Sequence, residues 1–410
     1  MQTITLLGST GSIGISTLSV LADHHDQYKI FALTCHHRIE KLVQQCLAYK
    51  PRYAVVSDHA AAESFKQLTR SIQLDTELLV GPEALSFVAS NEAVDIVMAA
   101  IVGAAGLDST LAAIRAGKKI LLANKETLVM AGDLVLTQLA HSSAQLLPVD
   151  SEHNGIFQCL PEHFLAGRLF PKKNNEANNH TKTSVHKIVL TASGGATRDL
   201  PLEQLAEVSA ELACTHPNWS MGKKITVDSA TMMNKALEII EAYYLFGLPA
   251  EKLEVILHPQ SIVHSMVYYT DGSALAQLGT PDMRTPIASA LAWPDRISTQ
   301  VTTLDLTHLP ALSFSELDQK RYACLSLGYE ALRIGGFAAT VLNAANEVAV
   351  AAFLKQQIGF TDIYHLNEAM LKKIPSGQAH SIGDIKAVDQ NTRERAQFWI
   401  ERERLKKRIF

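Results

Sequence analysis

The first 150 residues alternate short apolar runs with segments of helical spacing. The apolar runs predict seven strands, in QTITLLG, YKIFALT, YAVVS, ELLVG, VDIVMAA, KKILLA and AQLLPV. The helical segments between them are STGSIGISTLSVLADH, IEKLVQQCLAY, LDSTLAAIRAG and MAGDLVLTQLAHS. Strands that alternate with helices are typical of a parallel, doubly wound α/β sheet. This alternation therefore limits residues 1–150 to an α/β fold.

The pattern changes after residue 150. Further strands are predicted in HKIVLTAS, KLEVILH, IVHSMVYYT and ALAQLG, which indicate a second sheet with antiparallel pairs. The segment 281–312 has several prolines and little periodicity, so we interpret it as a linker. Helical spacing returns in RYACLSLGYEALRIGG, NAANEVAVAAFLKQQ and NTRERAQFWIERERLKKRI, which predict a small C-terminal helical bundle. The predicted domains are 1–150, 151–284 and 313–410, with a linker at 285–312.

Composition excludes several classes of protein. With 37 basic and 41 acidic residues and a formal net charge of -4, the chain offers no field for nucleic acid or an anionic membrane. No apolar run approaches the roughly 20 residues that span a bilayer, and MQTITLLGSTGSIG lacks the features of a signal peptide. The five cysteines have no C-x-x-C spacing, which favours a reducing cytoplasm and argues against a cysteine zinc site.

The glycine-rich stretch GSTGSIG lies between the first strand and the first helix. Glycines at this position let backbone amides approach a pyrophosphate at the helix N-terminus, although an ordinary tight turn is the alternative. The next strand ends in Cys35-His36-His37-Arg38, where NAD-specific sites usually carry an acid. Positive charge without an acid suits a 2′-phosphate and favours NADP(H); a solvated basic turn is the alternative.

Two polar stretches are candidates for ligand contacts. ANKETL follows the strand KKILLA, at the sheet edge where doubly wound folds bind ligands, although a solvated first helical turn would look the same. DSATMMNKALEIIEAYYLFG predicts one helix with Asp228 or Ser229 near its cap, and Asn234, Lys235 and Glu238 on one face. Ser229, Asn234 and Lys235 could bind a phosphate, or Lys235 could simply pair with Glu238 on the surface.

The stretch PVDSEHN places carboxylates on both sides of Ser151. If the strand of AQLLPV continues through it, the side chains of Asp150 and Glu152 point to the same face. Together with Glu238 they predict a three-carboxylate site for a hard divalent cation. A pair of solvated surface acids is the alternative.

The polar stretch CTHPNWSMGKKIT, residues 214–226, has little periodicity and one tryptophan, Trp219, at its centre. A lone exposed tryptophan is costly, so the stretch is interpreted as a lid over an active site. A loop anchored by a core tryptophan is the alternative.

These motifs together resemble the 1-deoxy-D-xylulose 5-phosphate reductoisomerase family. The resemblance covers nearly the whole chain and rests on GSTGSIG, AAIVGAAGL, LLANKE, LPVDSEHN, HPNWSMG, VDSATMMNKALE, HPQSIVHSMV, DMRTPIA and LNAANE, in the family's order. It implies conversion of 1-deoxy-D-xylulose 5-phosphate, a phosphorylated sugar, to 2-C-methyl-D-erythritol 4-phosphate, the committed step of the non-mevalonate isoprenoid pathway. It also implies a fosmidomycin-sensitive cytoplasmic homodimer that uses NADPH and a divalent metal, Mg²⁺, Mn²⁺ or Co²⁺.

The resemblance further implies a Rossmann-like NADPH domain (1–150), an α+β catalytic and dimerisation domain (151–284) and a C-terminal helical domain (313–410). The roles that it implies are: metal ligands Asp150, Glu152 and Glu238; phosphate ligands Ser193, Ser229, Asn234 and Lys235; contacts to substrate hydroxyls Lys125 and Ser151; lid residues His216 and Trp219; cofactor contacts Thr10, Gly11, Ser12, Ile13, Asn124, Glu126 and Gly222; and His264 near the site. His37 and Arg38 join the cofactor contacts on the basis of their charge, not of the resemblance.

The chain departs from the family pattern in two places. Relatives commonly carry G-K-N where this chain has His36-His37-Arg38, and the polar insertion at 171–186 is longer than expected. Two alternatives stay open: an NADP-dependent oxidoreductase for another phosphorylated sugar, and a catalytically silent dinucleotide sensor. Retention of all three carboxylates and of Lys235 argues against the sensor.

Overall fold

The computed structural model of the chain describes residues 1–171, 184–219, 221–375 and 377–409. These residues form two compact units. Unit 1 comprises Met1–Thr127, Val135–Asn179 and Asp282–Thr303. Unit 2 comprises Leu128–Leu134, His180–Pro281 and Leu304–Phe410. Each unit therefore contains segments that are distant in sequence.

The strands form two sheets, and their bounds are β1 (Gln2–Leu7), β2 (Tyr28–Cys35), β3 (Tyr53–Val56), β4 (Glu77–Val80), β5 (Ile96–Ala99), β6 (Lys119–Leu122), β7 (Gln145–Pro148), β8 (Val185–Ala192), β9 (Leu253–Leu257), β10 (Val263–Tyr269) and β11 (Ala274–Leu278). The first sheet is parallel, with the order β4-β3-β2-β1-β5-β6-β7. The second sheet has the order β11-β10-β8-β9.

The helices, in chain order, are α1 (Ser12–Ala22), α2 (Ile39–Tyr49), α3 (His59–Thr69), α4 (Pro82–Ser90), α5 (Leu107–Arg115), α6 (Glu126–Ala140), α7 (Ser151–Cys159), α8 (Glu162–Leu165), α9 (Ala210–Ala213), α10 (Lys223–Thr231), α11 (Met233–Phe246), α12 (Arg284–Ala292), α13 (Cys324–Ile334), α14 (Ala338–Leu354), α15 (Asp362–Leu371) and α16 (Ile382–Ile409). Short 3₁₀ turns occur at Gly103–Gly106 and Gly195–Thr197, among other places.

All seven strands predicted for residues 1–150 are present, and the predicted parallel α/β sheet is confirmed. Strands β3 and β5 are buried along their whole length, as expected for a parallel sheet covered on both faces. Helices α3 and α4 were not predicted, although the sequence carries their start signals. The Asp58 side chain caps α3 by accepting from the amide of Ala61, and Pro82 occupies the first turn of α4.

Residues 281–312, which we interpret from their sequence as a linker, contain the helix α12. This helix belongs to unit 1, where it packs against α1, α7 and β6 and buries Ile287 and Leu291. This helix was not predicted from the sequence, although its prolines lie at positions that a helix tolerates. Pro286 is in the first turn of the helix and Pro294 follows its end. The predicted domain bounds as a whole stay a prediction.

The second sheet contains all four strands predicted after residue 150. β10 pairs antiparallel with both β11 and β8, while β8 and β9 are parallel, so the predicted mixture of pairings is confirmed. Of the polar insertion predicted at 171–186, residues 172–183 lie outside the described residues. Its last residues, Val185 and His186, begin β8.

The C-terminal residues form the predicted helices, together with α15, which was not predicted. Helices α10, α14, α15 and α16 share one apolar core that includes Val227, Ala345 and Leu366. Helices α11, α13 and α14 share a second core around Leu237 and Leu342. Among the described residues, no helix is both long and apolar enough to cross a membrane.

The single helix predicted for DSATMMNKALEIIEAYYLFG is wrong, because the structure contains two helices. The backbone of Met232 is left-handed, with φ 65°, and this ends α10 at Thr231 and lets α11 begin at Met233. Asp228 and Ser229 therefore lie in the last turns of α10 rather than at a cap. Asn234 and Lys235 lie in the first turn of α11, where backbone amides lack helical partners.

Candidate active site

The glycine-rich turn of unit 1 lies at the switch point of the parallel sheet. β1 has β2 on one side and β5 on the other, and ligands of doubly wound folds bind at this reversal of strand order. Gly8 has φ 83°, and a Cβ there would lie 2.7 Å from the carbonyl oxygen of Ala100. A Cβ on Gly14 would lie 2.4 Å from the oxygen of Ser9. Glycine is thus required for the turn to pack against β5 and α1.

The predicted cofactor residues Thr10, Gly11, Ser12 and Ile13 form this turn and the start of α1, and Arg38 reaches it from the end of β2. The Arg38 guanidinium donates to the carbonyl of Thr10 at 2.9 Å. His36 and His37 are exposed, with ring centroids 3.5 Å apart. The end of β2 thus presents basic and aromatic groups beside the turn. Contact between Arg38 and Thr10 could not be foreseen from the sequence, since it depends on the distance between neighbouring strands.

Asn124 follows β6 on the same sheet edge and is 2% exposed. Its Nδ2 donates to the carbonyl of Gly103 at 3.2 Å, while its Oδ1 is buried and has no hydrogen-bond partner among the described residues. A buried acceptor of this kind needs a partner from a ligand or water. The turn Gly103–Gly106 was not predicted as part of the site, although its glycines in AAIVGAAGL are the signal: a Cβ on Gly106 would lie 2.6 Å from Asn124 Nδ2. Glu126 is also buried here, at the start of α6.

The two acidic residues predicted as metal ligands in unit 1, Asp150 and Glu152, follow β7. The expectation that a strand aligns Asp150 and Glu152 is wrong, because β7 ends at Pro148 and Ser151 begins α7. Asp150 precedes the helix and Glu152 lies in its first turn, where negative charge is favourable. Ser151 Oγ donates to the Glu152 carboxylate.

Asp150 is held as a carboxylate by two basic groups. Its Oδ2 lies 2.6 Å from Lys125 Nζ and 3.6 Å from His153 Nδ1. Burial opposes ionisation, but the Lys125 ammonium and the His153 ring outweigh it and hold the pKa of Asp150 well below its usual range. His153 was not predicted as a site residue; its spacing of three from Asp150 on a helix was the available signal.

Unit 2 brings together the start of the 193–197 loop and the end of α10. Gly194 and Gly195 have φ of 86° and 62°, and a Cβ on Gly195 would lie 2.8 Å from the Cα of Ala230. Thr197 Oγ1 donates to the carbonyl of Ala230 at 2.7 Å. This packing holds the loop that carries Ser193 against the helical turn that carries Ser229.

Glu238 lies one turn further along α11 than Asn234 and Lys235, and all three share one face, as the spacing predicts. Lys235 and Asn234 both bond to the Glu238 carboxylate. The alternative of a surface ion pair is wrong, since the side chains of Lys235 and Glu238 are 4% and 1% exposed. A buried carboxylate with these donors is unusual for a purely structural pair, because its desolvation is costly.

The lid segment, residues 214–226, lies in unit 2, and Ser220 within it falls outside the described residues. His216 Nδ1 accepts from the amides of Asn218 and Trp219, at 3.1 and 2.9 Å. A neutral ring therefore carries its proton on Nε2, which lies 3.0 Å from Ser193 Oγ. Trp219 is half-buried, with its ring centroid 6.3 Å from that of His264. Gly222 is exposed and precedes α10.

The parallel sheet with a glycine-rich turn at its switch point places the chain in the class of Rossmann-like, dinucleotide-dependent oxidoreductases. Three family models match it: "1-deoxy-D-xylulose 5-phosphate reductoisomerase" at residues 4–132, "1-deoxy-D-xylulose 5-phosphate reductoisomerase C-terminal domain" at 146–246, and "DXP reductoisomerase C-terminal domain" at 278–395. The chain belongs to the 1-deoxy-D-xylulose 5-phosphate reductoisomerase family.

Individual relatives agree over nearly the full length. The 1-deoxy-D-xylulose 5-phosphate reductoisomerase of Dechloromonas aromatica (strain RCB) is 53% identical over 98% of both chains, and that of Cellvibrio japonicus (strain Ueda107) is 52% identical over 96% of both. A crystal structure of DOX-P reductoisomerase in complex with NADPH, fosmidomycin and magnesium matches with a TM-score of 0.92 at 46% identity, over 98% of both chains. The Zymomonas mobilis enzyme in complex with NADPH gives 0.88 at 43% identity, over 98% of this chain and 99% of the other.

Proposed function

We propose that the protein catalyses the metal-dependent isomerisation and NADPH-dependent reduction of 1-deoxy-D-xylulose 5-phosphate to 2-C-methyl-D-erythritol 4-phosphate, the committed step of the non-mevalonate isoprenoid pathway. The observation that carries the proposal is the match to reductoisomerases over 98% of the chain at 53% identity. The local geometry of each unit supplies groups suited to one part of the chemistry.

Unit 1 would bind NADPH at the switch point of its sheet. The backbone amides of Ser12 and Ile13 would receive the pyrophosphate, while the Gly11 amide, which donates to the carbonyl of Gly8 at 3.1 Å, would shape the turn around it. Arg38 with His37 would receive the 2′-phosphate. The unpartnered Oδ1 of Asn124 supports a ligand at this edge, and Glu126 lies beside it. Gly222 is assigned to the cofactor by family resemblance. NADPH supplies the hydride that reduces the rearranged aldehyde.

We assign the divalent metal to the carboxylates of Asp150, Glu152 and Glu238, a hard oxygen donor set that suits Mg²⁺, Mn²⁺ or Co²⁺. The low pKa of Asp150 supports this role, because a ligand must be deprotonated to bind. A cation bound there would act as a Lewis acid on the substrate carbonyl. Lys125 and Ser151, which bond to Asp150 and Glu152 respectively, would orient substrate hydroxyls.

The substrate phosphate would bind Ser193, Ser229, Asn234 and Lys235. The Lys235 ammonium and the first-turn amides of α11 provide positive charge, and the two serine hydroxyls provide further donors. In the structure, Ser193 Oγ bonds to His216. A bound phosphate would therefore replace His216 as the partner of Ser193, and His216 would turn to the substrate while Trp219 covers its carbon chain.

We further propose a homodimer that forms through unit 2. β11 is an edge strand that pairs with β10 alone among the described strands, and it exposes Leu275 and Leu278. An apolar edge strand favours pairing with another strand. We also place the reaction in the cytoplasm, since the five cysteines are free thiols, as expected in a reducing compartment.

The test follows NADPH oxidation with 1-deoxy-D-xylulose 5-phosphate, with and without Mg²⁺, and identifies the product by NMR. We expect turnover only with the metal, inhibition by fosmidomycin, and 2-C-methyl-D-erythritol 4-phosphate as product. Turnover of a different phosphorylated sugar alone would favour the broader oxidoreductase. NADPH binding without turnover of any such sugar would favour the dinucleotide sensor.

A further inference from the structure

Asp228 is a buried carboxylate in unit 2 to which the reaction above assigns no role. Its side chain is 1% exposed and lies on α10, one residue before the proposed phosphate ligand Ser229. Oδ2 lies 2.9 Å from Lys224 Nζ, one turn earlier on the same helix. Oδ1 accepts from Asn346 Nδ2 of α14 at 2.7 Å. The carboxylate therefore ties α10 to α14.

The polar contact continues from Asn346 to α15. Asn346 Oδ1 accepts from Asn367 Nδ2 at 3.2 Å, and both amide side chains are fully buried. We call Lys224, Asp228, Asn346 and Asn367 the Asp228 network. It crosses the apolar core formed by α10, α14, α15 and α16. Buried polar groups are costly unless their bonds are made, so such a network fixes the relative position of the helices that carry it.

The last turn of α10 lies between this network and the 193–197 loop. On one side, Asp228 holds the helix to Asn346. On the other, Ala230 accepts from Thr197 and packs against Gly195. Ser229 lies between these two attachments, so a movement of Asp228 would shift Ser229 and, through Thr197, the loop that carries Ser193.

We propose that Asp228 and Asn346 are positioning residues for the substrate phosphate, and that the C-terminal helices α14 and α15 thereby set the affinity of the phosphate site. The inference rests on the proposed function, since it concerns the same phosphate ligands. It requires that loss of the network weaken binding of the phosphorylated substrate more than binding of NADPH. Gly222, which precedes α10, is the single proposed NADPH contact in unit 2, and the other proposed contacts lie in unit 1.

The test exchanges the donor and the acceptor. Asn346→Asp replaces the donor to Asp228 with a second carboxylate and should raise KM for 1-deoxy-D-xylulose 5-phosphate by about tenfold. The double variant Asp228→Asn with Asn346→Asp restores a donor facing an acceptor without changing the net charge, and should recover KM to within about threefold. Inorganic phosphate, used as a competitive inhibitor, should lose affinity by the same factor as the substrate, while KM for NADPH changes by a smaller factor.

Asn343→Asp is the matched control. Asn343 lies on the same helix, is equally buried and donates to Glu347 rather than to Asp228. It should lower the unfolding temperature without changing KM for the substrate. If Asn343→Asp and Asn346→Asp raise KM equally, or if KM for NADPH rises in parallel, the effect is structural and the inference is wrong.

The remaining outcomes separate this inference from the proposed function. A wild-type protein that does not turn over 1-deoxy-D-xylulose 5-phosphate refutes the function, whereas wild-type turnover with an unchanged KM in Asn346→Asp refutes only the positioning role. If Asn346→Asp does not fold, KM for the substrate is measured in Asn367→Ala instead. This variant removes only the hydrogen bond from Asn367 to Asn346 and keeps the bond from Asn346 to Asp228. An unchanged KM in folded Asn367→Ala would then overturn the inference.

Discussion

At the scale of single residues, Glu238 is a proposed metal ligand whose carboxylate is buried and bonded to Lys235 and Asn234. Glu238→Gln keeps the shape of the side chain but removes the negative charge that a hard cation needs. We expect kcat at fixed Mg²⁺ to fall by at least about a hundredfold, with a higher Mg²⁺ concentration for half-maximal rate.

Glu238→Gln should still fold but with a lower unfolding temperature. Its amide leaves the buried Lys235 ammonium without a counter-charge and offers one acceptor oxygen where the carboxylate offers two, to Lys235 and to Asn234. Glu254→Gln, which alters a half-exposed carboxylate on β9, is the control and should retain full activity. Normal activity of Glu238→Gln in metal-depleted buffer would exclude Glu238 as a ligand.

Arg38 lies where the 2′-phosphate would bind, and its guanidinium is oriented by the carbonyl of Thr10. Arg38→Ala should raise KM for NADPH by about tenfold and leave KM for NADH nearly unchanged, since only NADPH carries the extra phosphate. Lys29→Ala removes the same charge at the opposite end of β2 and should affect neither cofactor. Equal changes in both KM values for Arg38→Ala would show that Arg38 does not contact the 2′-phosphate.

At the scale of elements, the lid segment has its own attachment to unit 2. Asn218 Nδ2 donates to Pro259 O at 2.7 Å and to Ser261 Oγ at 2.8 Å. A segment this polar gains order mainly through such contacts and through bound ligand. We expect limited proteolysis within the lid segment to slow when Mg²⁺, NADPH and fosmidomycin are added, and the ligand-free cleavage rate to rise in Asn218→Ala.

The emission of a variant that keeps Trp219 as its single tryptophan should change on the same additions. If neither the cleavage rate nor the tryptophan emission changes when the ligands are added, Trp219 is an ordinary anchor of the loop and the lid interpretation is wrong.

The C-terminal end of α12 depends on Lys119 of β6. The Lys119 ammonium donates to the carbonyls of Leu291 and Trp293, at 2.8 and 3.0 Å. Lys119→Met leaves these carbonyls without their donor and should lower the free energy of unfolding by about 1–3 kcal/mol, measured by denaturant titration. Lys29→Met, on the exposed start of β2, should change it little.

Burial lowers the pKa of Lys119 to about 8. Between pH values of about 8 and 10.5, Lys119 is largely protonated in the unfolded chain but not in the folded one, so the unfolded chain binds more protons. The stability of the wild type relative to Lys119→Met should therefore rise with pH across this window. A difference that is independent of pH would contradict the lowered pKa.

The sequence predicts some elements well and others poorly, for physical reasons that differ. Central strands of the parallel sheet such as β5 are apolar on both faces, and this signal is local. The break between α10 and α11 depends on one left-handed residue, Met232, in a continuous helical pattern, so the sequence alone indicates one helix. Contacts such as Arg38 with Thr10, Lys125 with Asp150 and Asn346 with Asp228 join residues far apart in the chain, so no local pattern could reveal them.

At the scale of the whole molecule, buried thiols make the fold sensitive to alkali. Burial raises the pKa of Cys46 and of Cys324 to about 12 and that of Cys159 to about 11. The unfolded chain ionises these thiols near their ordinary pKa, whereas the folded chain does not, so their contribution to stability is lost as pH rises above that value. The free energy of unfolding should fall less steeply above about pH 9 in Cys46→Ala than in the wild type. Equal slopes would refute the prediction.

The position of α12 in unit 1 also bears on how the chain folds as it is synthesised. Residues 282–303 complete a unit whose sheet is encoded within the first 148 residues, and they cover parts of α1, α7 and β6. A ribosome would thus expose an unfinished apolar face while it translates more than a hundred intervening residues. A fragment that stops at residue 150 would keep that face permanently uncovered, so chaperone binding or aggregation, rather than an isolated nucleotide-binding domain, is the expected fate of such a truncation.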